Sequence, residues 1–142
     1  MLFRSSPQSD EGRAMLQIVH DVAPKSTLAF SSGFISAGNM AQQIKNLQTA
    51  GCNVITDDIT YITEPFFSDG MIAKAVNAVK ALGVAYFTSA GNYGDKSYEG
   101  IYTPTTAPGS LVGTAHNFGG GDRFQNVSLT PGTYLEIGRA HV

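Results

Sequence analysis

One cysteine, no tryptophan and almost no net charge mark this chain, and each shortage removes a class of function. A lone thiol, Cys52, can neither close an internal disulfide nor build a cysteine-based zinc site. A disulfide-free chain suits the cytosol and many secreted bacterial enzymes equally, so cysteine usage leaves the compartment open. The formal charge of -2 offers no electrostatic footprint for nucleic acid or an anionic membrane, and neither is expected as a partner. No apolar run approaches the ~20 residues that span a bilayer. The opening Met-Leu-Phe-Arg-Ser-Ser-Pro lacks the charged and then apolar order of a signal peptide. His20, His116 and His141 show no metal-ligand spacing, and no cofactor is expected. Gly119-Gly-Gly121-Asp122 matches neither phosphate-binding loop signature, because no Lys-Ser/Thr follows it and no long strand precedes it.

What is present describes a globular chain. Hydrophobic residues make up 42% and charged residues 14% of 142 positions, a size that suits one domain. Ser9-Asp10-Glu11 opens a helix expected over 10–21, with Ser9 or Asp10 as cap and acidic groups at its positive end. Ala14, Met15, Ile18, Val19 and Val22 give it one apolar face. Ala23-Pro24 stops it, and residues 28–30 read as a short buried strand. A second helix is expected over 37–49, with Met40, Ile44 and Leu47 inward and Gly51 as terminator. Residues 53–57 form the next expected strand. A third helix over 71–82 turns Ile72, Ala75, Val76, Val79 and Leu82 inward, Gly83 ends it, and residues 84–88 are the third strand. The expected fold class is therefore α/β, a parallel β-α-β-α-β unit with right-handed crossovers.

Beyond residue 95 the texture changes. Residues 98–135 are rich in Gly, Thr and Pro, with brief β-like runs at 110–115 and 126–130 and a turn at Pro131-Gly132. Loops and short antiparallel strands are expected there. Three parallel strands alone would leave unpaired backbone at both sheet edges, so partner strands from elsewhere are implied.

The stretch with most chemical content is Val84-Ala-Tyr-Phe-Thr-Ser-Ala-Gly-Asn92. A β-forming run ends there in small residues and an amide, where open α/β sheets collect ligands. Small residues let a substrate backbone approach, and Asn92 offers an uncharged N–H donor. The alternative is a plain turn, since Gly and Asn both tolerate positive φ. Asp57 and Asp58, at the end of the preceding strand, could favour basic side chains or bind calcium. The ordinary alternative is one carboxylate capping a loop and one facing water. Glu64, Asp69 and Asp95 read as loop residues, and His20 as a helix C-terminal residue that suits the dipole.

Three segments together resemble the subtilisin-like serine peptidases (subtilases) and their sedolisin relatives. Glu11-Gly12-Arg13-Ala14-Met15 followed by Val22-Ala23-Pro24 is similar to the family's His-Gly-Thr helix start and Val-Ala-Pro strand entry. Ala50-Gly51-Cys52-Asn53-Val54-Ile55-Thr56-Asp57-Asp58 is similar to its Gly-Ala-Asp-Val-Ile-Asn strand. Ser89-Ala90-Gly91-Asn92 is similar to its Ala-Gly-Asn, which supplies the oxyanion amide. Order and spacing agree over about residues 10–94. The resemblance implies a subtilisin-like fold, present in part, and peptide or protein as substrate. It implies a catalytic role for Asn92 as oxyanion donor and for Glu11 at the position of the base, where subtilisins carry His and sedolisins Glu. A substrate wall is implied at Asp58, Ile59 and Thr60, facing Ala90 and Gly91.

The departures carry weight as well. Sedolisins pair the Glu with an Asp one helical turn on, where this chain has Met15, and they carry Asp rather than Asn at the oxyanion position. The alternative role for Glu11 is that of an acidic residue favouring a helix N-terminus, worth ~0.3–1 kcal/mol. No Gly-Thr-Ser nucleophile motif occurs, and no segment matches the first strand that carries the family's Asp. The expected organisation is a partial subtilase-like catalytic domain at 1–95, a β-rich insertion or appended segment at 96–135 and a non-native tail at 136–142. Ile137-Gly-Arg-Ala-His-Val142 can be encoded by ATC GGA AGA GCA CAC GTC, the start of a common sequencing adapter. The parent would be a secreted or cell-surface serine endopeptidase, and the chain itself inactive. The alternative is a non-catalytic binding or adhesion module on the same scaffold.

Overall fold

The computed structural model of the chain describes residues 10–94, 97–133 and 135. It is mixed α/β: helices α1 (Glu11–Val22), α2 (Ala37–Thr49) and α3 (Met71–Ala81), strands β1 (Val54–Asp57) and β2 (Ala85–Thr88), then β3 (Pro104–Thr106) and β4 (Thr114–His116). Two compact units divide the chain, one running to Asn92 and one beginning at Tyr93. The expected tail at 136–142 lies outside the described residues.

In the first unit the helical periodicity of α2 and α3 is what builds the core. Met40, Ala41, Ile44 and Leu47 of α2 lie against Ala75 and Val79 of α3, with Ile55 of β1 and Val84 at the entry to β2. Ile44 and Ile55 are fully buried. Ser36 caps α2 by accepting the Asn39 N–H at 3.1 Å, as a hydroxyl at an N-cap does. Gly51 and Gly83 end α2 and α3 at φ +89° and +88°, conformations that favour glycine. Strands β1 and β2 pair in parallel, Val54 with Ala85 through Asp57 with Thr88, and α3 is the crossover between them.

Three expectations fail here. Residues 28–30 form no ladder strand among the described residues, so the parallel sheet has two strands and not three. Ala29 packs on the core, but Phe30 is exposed and makes at most an isolated bridge; extended residues become a strand only where a neighbour pairs several of them in a ladder. The apolar face of α1 is also uncovered: Ile18 and Val22 are exposed, Val22 at 82%. Asp10 stands at the N-cap position without a side-chain cap bond, and its carboxylate pairs with Arg13 instead. Leu82, expected inward, is exposed just past the end of α3.

The second unit contains the antiparallel pair β3–β4, Pro104 opposite His116 and Thr106 opposite Thr114. The expected run at 110–115 reaches β4 only at its end, and the run at 126–130 forms no strand. Asn117 Oδ1 accepts the N–H groups of Gly119 and Gly121 at 3.0 and 3.1 Å. This Asx-type turn holds three successive glycines at positive φ.

Candidate functional site

Parallel pairing fixes where the candidate residues emerge. Asp57 and Thr88 are register partners at the carboxyl ends of neighbouring strands, so residues 58–60 and 89–92 leave the sheet from the same end. Alternation along each strand puts Ile55 and Asp57 of β1 on the face shared by Tyr86 and Thr88 of β2.

Asp57 anchors this end of the sheet. It is 4% exposed. Its Oδ1 accepts the Thr88 hydroxyl at 2.9 Å and the Ile59 N–H at 3.2 Å. Its Oδ2 accepts the Tyr86 hydroxyl at 2.5 Å. A buried carboxylate is tolerated only when its lone pairs are occupied, and three donors from both strand ends occupy these. Burial, reinforced by the hydrogen bond to Asp57 and its negative charge, raises the Tyr86 phenol far above its usual range. Burial likewise raises Tyr61, whose hydroxyl donates to the Gly33 carbonyl at 2.5 Å. Asp58 faces solvent. The two adjacent carboxylates are thus one loop cap and one exposed group, and among the described residues no cluster of His, Cys, Asp or Glu is arranged to hold a metal ion.

Next to Asp57 an open cleft of about 340 Å³ lies between the strand ends and α3. Met40, Ile59, Ile72 and Val76 give it apolar walls, while Glu64, Asp69, Asn77, Tyr61, Tyr86 and Thr88 bring polar groups. Glu64 Oε2 accepts the Ile72 N–H at 3.1 Å, meeting an otherwise orphan donor in the first turn of α3. A Cβ on Gly70 would meet that carboxylate, the movable end of the Glu64 side chain. Asp69 Oδ2 accepts the Asn77 amide at 2.8 Å.

Of the expected site residues, Ile59 alone is among those that line the cleft. Thr60, Ala90, Gly91 and Asn92 are exposed on the loops that leave β1 and β2. Gly91 adopts φ +72°, so the chain needs a glycine to turn as it leaves β2, and Asn92 follows without a positive φ. No side-chain hydrogen bond engages Asn92 among the described residues, so its amide is available to a ligand. Glu11 is the half-buried first residue of α1, a helix that contributes no residue to the cleft lining. His20 is exposed in the last turn of α1, and Asp95 lies outside the described residues.

Sequence reasoning underrated Glu64 and Asp69, which it placed in loops. Each does sit in a connection, yet each is tied to α3 by a side-chain bond across eight positions. The usable signal was an acidic residue ahead of Gly70 at a helix start. No helix among the described residues is long and apolar enough to cross a membrane. No protein-family model matches the chain, and no curated protein or solved structure matches it either.

Proposed function

We propose that these residues are the central part of a subtilisin-like serine-peptidase domain, inactive alone, whose parent chain cleaves peptides outside the cell or at its surface. The observation that carries this reading is the β1–β2 register. Two segments that resemble the family's cleft wall and oxyanion loop, 58–60 and 89–92, leave neighbouring parallel strands at one end of the sheet, where α/β sheets bind ligands. A larger subtilisin-like sheet built onto β1 and β2 belongs to the same proposal, with its further strands supplied by the parent.

In this reading Asn92 donates its amide N–H to the oxygen that becomes negative as the scissile carbonyl turns tetrahedral. Such a donor acts on charge that exists only near the transition state, so it raises the rate without tightening the ground state. Ala90 and Gly91 leave room for the substrate backbone, and Asp58, Ile59 and Thr60 form the facing wall. By the resemblance alone Glu11 takes the family's base position, to accept the nucleophile's proton. The nucleophilic Ser and the orienting Asp come from the parent chain. Met15, half-buried where a sedolisin-type partner carboxylate would stand, favours a second reading, a peptidase-like binding module without catalysis.

A fluorophosphonate probe separates the two. The 142-residue chain is expected to stay unlabelled and to leave casein intact, whereas the parent protein is labelled at one serine and hydrolyses casein. A parent that folds but takes no label and cleaves nothing would sink the peptidase proposal.

A further inference from the structure

We infer that the cleft beside Asp57 receives a basic side chain, the aliphatic stem and cationic head of lysine or arginine in a peptide. The inference names a substrate class for the site proposed above and rests on that reading for its biological meaning, but the cleft's chemistry stands on its own residues. Its volume of about 340 Å³ falls at the lower end of the ~300–1,000 Å³ typical of small-molecule sites. That suits one side chain better than a cofactor.

The lining sorts the candidates. Met40, Ile59, Ile72 and Val76 offer apolar contact for a methylene stem. Three lining residues are carboxylates, Asp57, Glu64 and Asp69, and none of the lining residues is cationic. An acidic ligand would be repelled, and a purely apolar one would desolvate carboxylates without compensation.

The three acids are not equivalent. Asp57 has both oxygens occupied by protein donors and is buried, so it acts on a ligand only through its charge. Glu64 and Asp69 each use one oxygen to hold α3, through the Ile72 N–H and the Asn77 amide. The second oxygen of each carries no hydrogen bond among the described residues. Both carboxylates are thus fixed against the face of α3 that lines the cleft, with acceptor capacity left over. A guanidinium or ammonium group brings the missing donors.

The test uses the 142-residue chain and needs no hydrolysis. Nα-acetyl-arginine amide and the uncharged Nα-acetyl-norleucine amide, which keeps the aliphatic stem without the cationic head, are titrated in parallel into the ¹⁵N-labelled protein at low salt. Saturable shifts at Ile72, Asn77 and Ile59 are expected with the arginine amide and not with the norleucine amide. Asp69→Asn, at an exposed position, is expected to weaken arginine binding about three-fold, in keeping with a partly solvated ion pair. Glu64→Gln, which keeps an oxygen to accept the Ile72 N–H, is expected to do the same without unfolding α3. Equal binding of both amides, or shifts at neither, would overturn the inference. Arginine binding beside a parent that hydrolyses nothing would keep the cleft's preference and remove the peptidase. A hydrolysing parent, with no arginine binding here, would remove the cleft's preference and keep the peptidase.

Discussion

The two compact units are held together by different physics. The first has a closed apolar core in which Ile44, Ile55, Met40 and Val79 are almost entirely removed from water. The second has no buried residue among those described. Its cohesion comes from the β3–β4 ladder and from rings around His116. Phe118 meets the imidazole edge-on at 4.6 Å and Tyr102 stacks on it at 5.8 Å. The Thr103 N–H donates to His116 Nδ1 at 3.1 Å, which leaves the proton of the neutral ring on Nε2, facing the Tyr98 hydroxyl at 3.2 Å. The contrast shows where a precise site can be built: residues fastened to a packed core keep their geometry, as Asp57 does, whereas an open assembly of rings and turns frays more readily.

The largest effect expected from this contrast is a cavity in the first unit. Ile44→Ala removes a fully buried side chain between α2 and α3, and a loss of about 2–5 kcal/mol in urea unfolding is expected. A loss under 1 kcal/mol would mean that the core is not packed as described. Asp57→Ala comes next. It strands the Tyr86 and Thr88 hydroxyls and the Ile59 N–H at once, and about 3 kcal/mol is expected. The neighbouring Asp58→Ala should stay within about 0.5 kcal/mol.

A pH effect follows from the same cluster. The phenol of Tyr86 titrates higher in the folded chain than in the unfolded one. Its contribution to stability is complete below the unfolded value of about 10 and is lost as pH rises beyond it. Chemical denaturation at pH 9 and pH 11 should show that fall, and Tyr86→Phe should flatten it. An unchanged slope in Tyr86→Phe would assign the alkaline limb to another group.

The smallest effect belongs to the second unit. Gly121→Ala places a Cβ at φ +87°, which costs about 1–2 kcal/mol of local stability. It should speed amide exchange at Gly119 and Gly121 without touching Ile44 or Val79. Equal acceleration in both units would contradict the separation of their cohesive forces.

Much of the first unit was legible because its helices are governed by a local rule. Met40, Ile44 and Leu47 recur at the spacing of one helical face, Gly51 and Gly83 mark the ends, and β-formers fill β1 and β2. The same rule over-reached for α1, whose apolar face has no cover among the described elements, since periodicity states which side of a helix is apolar and not what lies against it. Residues 28–30 misled for a related reason: strand character becomes a strand only when neighbours complete the ladder. In the second unit β3 begins at Pro104, a residue that weakens any strand signal although the first position of a strand accepts it. The site followed the same division. Asp57 at a strand end could be placed from the sequence, but its three donors and the ties from Glu64 and Asp69 to α3 are tertiary contacts that no spacing encodes.

The most direct measurement of the central claim is the effect of Asn92→Ala on casein or peptide hydrolysis by the parent protein. If Asn92 meets the oxyanion, kcat falls about 10²–10³-fold, a magnitude known from subtilisin itself, while KM changes little. A variant with kcat unchanged would contradict the account, because the chain leaving β2 would then be a turn and nothing more.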